Sequence, residues 1–158
     1  MYYLIDAYNL IGYCKTIHLH DINKEEKLLT LIETIPFKKK DLIELVFDGK
    51  SDLSPWGSQN SHNNIRCIFT AHDQNADHFI INKLTLNKDI ITVISSDNEI
   101  KQACKKQHNC HIINCQEFLK KVLPSPKKST KPNKSSKEET NYWLNLWKNK
   151  NTKSSSIS

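Results

Sequence analysis

The sequence predicts an α/β domain with a central, mostly parallel sheet flanked by helices. Two observations carry this expectation. Strand-like apolar runs alternate with amphipathic helical ones along most of the chain, the order that builds a doubly wound sheet. The run Ile90-Ile91-Thr92-Val93-Ile94 is β-branched throughout and apolar on both faces. That continuity is expected of a central parallel strand covered by helices on both sides. At 158 residues the chain has room for one ordinary domain and little else.

Leu4 and Ile5, following two tyrosines, make a short buried strand that ends at Asp6. Residues 23–35 read as a helix, with Leu28, Leu29, Leu31 and Ile32 at helical spacing and Asn23 or Asp21 as its cap. Pro36 and the lysines at 38, 39 and 40 break that pattern. Leu42-Ile43-Glu44-Leu45-Val46-Phe47 is a second strand, stopping at Asp48-Gly49. Residues 51–64 are polar and read as a loop.

Residues 65–69 form a third strand. Asp73 is placed to cap a helix over residues 75–86, whose inner face is Ala76, Phe79, Ile80 and Leu84. After the central strand at 90–94, Ser96-Asp97-Asn98-Glu99 matches a capping box with Ser96 at the cap. The helix it opens holds Ile100, Ala103 and Cys104. A last strand at 111–113 and a last helix at 116–122 complete the domain, and no internal repeat is present. The division is thus a domain at 1–122, a Pro/Ser/Lys-rich linker at 123–137, a short aromatic helix at 138–148 and a disordered tail at 149–158.

The net charge of +6 is unevenly spread. The first 123 residues balance to zero, and the excess comes from eight lysines against two glutamates beyond them. Such a tail either attracts a polyanion without reading its sequence or serves as a solubilising extension. No apolar run approaches the roughly 20 residues of a membrane span. Met1 leads at once to a charge at Asp6, unlike a signal peptide. A cytoplasmic protein with no membrane partner is the expectation. The five cysteines contain no C-x-x-C pair and read as small buried hydrophobes of a reducing compartment. Zinc ligation by Cys104, His108, Cys110, His111 and Cys115 fits no compact finger spacing.

Four aspartates fall where chemistry tends to sit in such a fold. Asp6, Asp48 and Asp97 come at or just past predicted strand ends, and Asp77 lies in the first turn of a helix. Ligands of open α/β sheets bind at the carboxyl ends of the strands, where the strand order reverses. Carboxylates gathered there repel one another unless a cation neutralises them, and oxygen-only ligands favour Mg²⁺ or Mn²⁺. Taken singly, an aspartate in such a place is better explained as a helix cap or a complement to the macrodipole, and it is their number at strand ends that points to a site.

The opening Tyr3-Leu4-Ile5-Asp6-Ala7-Tyr8-Asn9-Leu10-Ile11 resembles the start of the NYN domains, specifically the YacP-like branch of the PIN-like nucleases. Val46-Phe47-Asp48-Gly49, Asn75-Ala76-Asp77-His78-Phe79-Ile80 and Val93-Ile94-Ser95-Ser96-Asp97-Asn98-Glu99-Ile100 follow in the order of that branch. The resemblance implies a PIN-like three-layer fold, an acidic metal site and RNA cleavage. It makes Asp6, Asp77 and Asp97 metal ligands for Mg²⁺ or Mn²⁺, and Asp48 a further acidic member. Asn9 would orient a carboxylate, a water or a phosphate oxygen. Ala7 stands where this branch often has glycine, and a small residue is kept. The implied activity is a metal-dependent endoribonuclease acting on RNA, whether mRNA or ribosome-associated RNA.

Other residues invite weaker readings. Trp56, near His62, either stacks on an unpaired base or anchors its loop. Lys50, Arg66 and the lysines at 38–40 either contact phosphates or form a solvated face. His18 and His20 follow the first motif, but a carboxylate site does not need imidazole. Trp143 and Trp147 lie four residues apart and so on one helical face, docking on the domain or on a partner protein. The main alternative function is a non-catalytic RNA- or ribosome-binding module of the same fold. A phosphoacceptor receiver domain would need an acidic pair at the first strand and a lysine after the last, where this chain has Asp6 alone and Asn114. A phosphatase Asp-x-Asp motif fails because Tyr8 stands two after Asp6.

Overall fold

The structure, a computed structural model, describes residues 1–49, 58–71 and 73–123, with 58–60 and 62 described by their backbone alone. Trp56, Lys50 and the expected linker, C-terminal helix and tail lie outside the described residues. Among the described residues, eleven elements run in the order β1 (Tyr2–Asp6), α1 (Ala7–Tyr13), α2 (Lys24–Glu33), β2 (Leu42–Phe47), β3 (Ser58–His62), β4 (Ile65–Phe69), α3 (Ala76–Leu86), β5 (Ile91–Ile94), α4 (Asn98–Lys105), β6 (Cys110–Ile113) and α5 (Cys115–Val122). The strands form one six-stranded sheet in the order β3-β4-β2-β1-β5-β6. All pairings are parallel except β3 with β4.

Side-chain alternation along the strands sorts the core into two layers. Ile5, Ile43, Leu45, Phe47 and Ile94 pack with Leu10 and Ile11 of α1, Leu28 and Ile32 of α2, and Phe118 and Leu119 of α5. Leu4, Val46, Ile91 and Val93 pack on the other face with Ile80 and Leu84 of α3 and Ile100 of α4. The sheet is therefore covered on both sides, a three-layer α/β architecture. Glu44 of β2 is buried within it and accepts hydrogen bonds from Tyr2, Arg66 and Lys83, which neutralise and satisfy it.

The structure corrects several expectations. Residues 58–62 are not loop but the antiparallel edge strand β3. A strand reading Ser-Gln-Asn-Ser-His has no apolar alternation, and backbone pairing with β4 defines it. The connecting pair Asn63-Asn64, with Asn63 at φ 56, supplies the left-handed turn a two-residue hairpin needs. Helix α1 was also absent from the expectation. Its signal is Ala7, Leu10 and Ile11 at helical spacing behind Asp6, which caps it by accepting the Asn9 N–H.

Two caps differ from the ones expected. Asn75, not Asp73, caps α3 by accepting the His78 N–H at 2.8 Å. Asp97, not Ser96, caps α4, accepting the N–H groups of Glu99 and Ile100 at 2.8 and 3.0 Å. The carboxylate sits one residue nearer the helix and reaches both donors. Ile90 lies outside β5 and is exposed. Finally, Cys104 and Cys110 are not separate buried thiols but a disulfide, with Cα atoms 5.3 Å apart. The turn from α4 into β6 brings them to bonding range, which also removes them from any zinc ligand set.

Candidate active site at the sheet switch point

The chain runs outward from β1 to β2 and β4, then returns to lay β5 on the other side of β1. Strand order thus reverses between β1 and β5, and the crevice beyond their carboxyl ends is the place where such sheets bind ligands. Asp6 ends β1, and Ser95-Ser96-Asp97 follows β5 directly. Asp6 shares a strand face with Leu4, which packs against α3. Asp77 lies in the first turn of that helix.

Hydrogen bonds fix the crevice floor. Asp6 accepts the Asn9 N–H on Oδ1 at 3.3 Å and the Ser95 hydroxyl on Oδ2 at 3.1 Å. The same Ser95 oxygen accepts the Asp97 N–H at 3.1 Å. Asn9 turns its Oδ1 inward, taking the Ser96 N–H at 2.9 Å and the Cys115 thiol at 3.2 Å. The Ser96 hydroxyl in turn accepts the Cys115 N–H at 3.0 Å. Asn9 is therefore oriented with its carbonyl oxygen engaged by Ser96 and Cys115. Ala7, buried at the start of α1, has no positive φ, so alanine is unstrained where the related branch often carries glycine.

The carboxylates sense one another. Burial pushes Asp6 up from 3.8 to about 6, and the charges of Asp77 and Asp97 push the same way, against the hydrogen bonds from Asn9 and Ser95. Asp77 is also raised, first by burial and then by Asp97, Glu99 and Asp48. Among the described residues, no lysine, arginine or histidine forms an ion pair with Asp6, Asp77 or Asp97. Nor, among the described residues, do any three acidic, histidine or cysteine side chains stand close enough to form a finished metal cage. The donors are of the hard oxygen type that suits Mg²⁺ or Mn²⁺, and their arrangement as it stands is open.

Asp48 is placed by the backbone behind it. Gly49 donates its N–H to the Thr70 hydroxyl at 2.8 Å. A Cβ there would fall 1.7 Å from the Thr70 carbonyl oxygen, so only glycine allows this approach. The Phe-Asp-Gly motif, weak as a pattern, thus has a steric reason.

Asp6, Asn9, Asp77 and Asp97 gather at the switch point, with Asp48 near Asp77. Arg66 is placed elsewhere. It lies near the start of β4, pairs with Glu44 at 3.4 Å and is in register with it. His18 and His20 stack on each other, their ring centroids 5.4 Å apart. The sequence gives Ser95 no role, reads Ser96 as a helix cap and considers Cys115 only among zinc ligands, so none of the three is expected in this hydrogen-bond network. The two serines stand inside the Ser-Ser-Asp motif, whereas nothing local marks Cys115, which is brought in by α5.

The fold is that of a nuclease-like α/β domain. The chain belongs to the YacP-like NYN domain family, whose model matches residues 3–156, and that family has a nuclease-like, RNA-related role. Two solved structures of Rae1 (YacP) from Bacillus subtilis share the fold, each with a TM-score of 0.58 and 19% identity. The match to a mutant form covers 98% of this chain and 86% of that one. For the other the shares are 97% and 82%. No match was found among curated proteins. No helix among the described residues is long and apolar enough to cross a membrane.

Proposed function

We propose that the protein is a metal-dependent endoribonuclease, hydrolysing RNA phosphodiester bonds in the cytoplasm at the crevice beyond β1 and β5. The observation that carries this reading is the placement of Asp6 and Asp77, both raised and within range of each other and of Asp97, without a cationic side chain paired to them among the described residues. Asp6, Asp77 and Asp97 would hold Mg²⁺ or Mn²⁺, with Asp48 as a further acidic neighbour. A bound divalent cation supplies a more acidic water and a positive charge for the phosphate oxygens.

The chain's own groups do the rest. Ser95 keeps Asp6 and the Asp97 backbone in register through one hydroxyl. Asn9, its oxygen held from behind, offers its NH₂ to a phosphate oxygen or to the attacking water. No covalent enzyme intermediate is required. The basic stretch beyond residue 123 adds attraction for a polyanion without sequence readout, and mRNA or ribosome-associated RNA is the substrate class.

The test is cleavage of a mixed single-stranded and structured RNA pool by wild type and Asp77→Asn, each with Mn²⁺, Mg²⁺ or chelator. Asp77 makes a clean variant because it does not cap its helix. Metal-dependent cleavage that the variant loses supports the nuclease and its site together. RNA binding without cleavage in every condition would assign the fold to a non-catalytic RNA-binding module.

A further inference from the structure

Cys115 is a fully buried thiol against the crevice floor, and the proposed hydrolysis assigns it no part. Burial, foremost, pushes the thiol up to about 11, with the Asp6 charge acting the same way, so at neutral pH it keeps its hydrogen. It is thus a hydrogen-bond donor and not a thiolate nucleophile. It opens α5 directly behind Asn114, whose side chain caps that helix by accepting the Glu117 N–H at 2.8 Å.

Three hydrogen bonds close a ring through it. The Cys115 S–H and the Ser96 N–H both donate to Asn9 Oδ1, at 3.2 and 2.9 Å, and the Cys115 N–H donates to the Ser96 hydroxyl at 3.0 Å. Two donors on one oxygen decide which way round the Asn9 amide stands, because a flipped amide would set its own N–H groups against them. The members of the ring also sit on packed elements. Phe118 and Leu119 of α5 share a core with Leu10 and Ile11 of α1, the helix that carries Asn9. Ser95 donates its N–H to the Ile113 carbonyl at 3.2 Å, which fixes the end of β6 beside the turn that holds Ser96. The thiol is thereby held against Asn9 from a helix 106 residues away in sequence.

From this geometry we infer that Cys115 is a positioning residue for the reaction, its thiol holding the Asn9 amide in the orientation that the cleaving site uses. The inference rests on the ribonuclease reading, which gives that amide contact with a phosphate oxygen or the attacking water. The Ser96 N–H alone would leave the amide on a single bond, free to rock about its side-chain torsions. The thiol supplies the second direction. One buried hydrogen bond of this kind contributes modestly to stability, whereas a small misplacement of a group beside the reacting atoms costs rate. An interaction needed only as the phosphate reacts lowers kcat and leaves KM nearly unchanged.

The experiment compares the full chain as wild type, Cys115→Ala, Cys115→Ser and Leu119→Val. It reads nitrogen relaxation of the Asn9 side-chain amide without metal or RNA, and then steady-state RNA cleavage with Mn²⁺. Wild type and Cys115→Ser, which restores a donor, should show a rigid amide, and Cys115→Ala one with an order parameter below about 0.6. In cleavage Cys115→Ala should lose about fivefold in kcat with KM within about twofold, and Cys115→Ser should recover most of the loss. Leu119→Val removes a methylene from the same helix and leaves the ring intact, so it should match wild type in both readings. Equal losses in Cys115→Ala and Leu119→Val would reduce the thiol to packing and overturn the inference. So would an amide as rigid in Cys115→Ala as in wild type, no recovery in Cys115→Ser, or an unchanged kcat in a protein that cleaves RNA. If wild type cleaves no RNA, an amide loosened only in Cys115→Ala would uphold the hold on Asn9 and remove the nuclease reading alone.

Discussion

Ser95 donates its hydroxyl to Asp6 at 3.1 Å across 89 residues of sequence, and the same oxygen accepts the Asp97 N–H. One small side chain thereby ties the ends of β1 and β5, and with them the two most specific motifs of the chain. The carboxylate at one end of that tie is buried, and its charge state governs how the site responds to pH and to cations.

Asp6 makes the folded state sensitive to pH. Its carboxyl is raised by burial, foremost, to about 6. Between about pH 4 and 6 the native protein keeps a proton that the unfolded chain has released, so stability falls as pH rises through that window. A shift of two units corresponds to roughly 3 kcal/mol. In metal-free protein, Asp6→Asn should therefore melt higher than wild type at pH 7.5 and level with it at pH 4, while cleavage is lost. A lower melting temperature at pH 7.5 would show that the ionised form is stabilised by a partner.

Cation loading should reverse the same penalty. Millimolar Mn²⁺ is expected to raise the melting temperature of wild type at pH 7.5, with chelator restoring the original value. Asp6→Asn and Asp77→Asn should respond weakly or not at all. Equal shifts in all three proteins would place the bound cation elsewhere.

Asp97 has two roles that substitution can separate. It caps α4 through the Glu99 and Ile100 N–H groups. Asparagine caps as well as aspartate, whereas alanine at such a position costs about 1 kcal/mol. Asp97→Asn should keep wild-type stability in denaturant and lose cleavage, and Asp97→Ala should lose both. Full activity in Asp97→Asn would remove it from the site.

Gly49→Ala is expected to be disruptive despite its small size. The new methyl would meet the Thr70 carbonyl oxygen, which is backbone and has no rotamer to yield. A destabilisation of about 1–3 kcal/mol is expected from such overpacking, together with a loss of activity through displacement of Asp48. Urea unfolding and the cleavage assay read the two effects. Unchanged values in both would mean that the β2–α3 loops shift freely.

Much of the architecture was legible in the residues because its signals are local. The β-branched run at 90–94 and the apolar run at 42–47 had to be strands, and the inner face Ala76, Ile80 and Leu84 had to be a helix, whatever surrounded them. Strand alternation with helices then left few topologies besides a parallel sheet, and that put Asp6 and Asp97 at its carboxyl edge. Tertiary structure decided the rest. Strand β3 has no pattern of its own and exists by pairing with β4. Whether Ser96 or Asp97 caps α4 depended on a difference of one residue in reach. The Asn9–Cys115 contact, the Cys104–Cys110 bond and the assignment of Arg66 to Glu44 join side chains through space. Periodicity along a chain reports which face a residue occupies, but distances across a fold are set only when the layers pack.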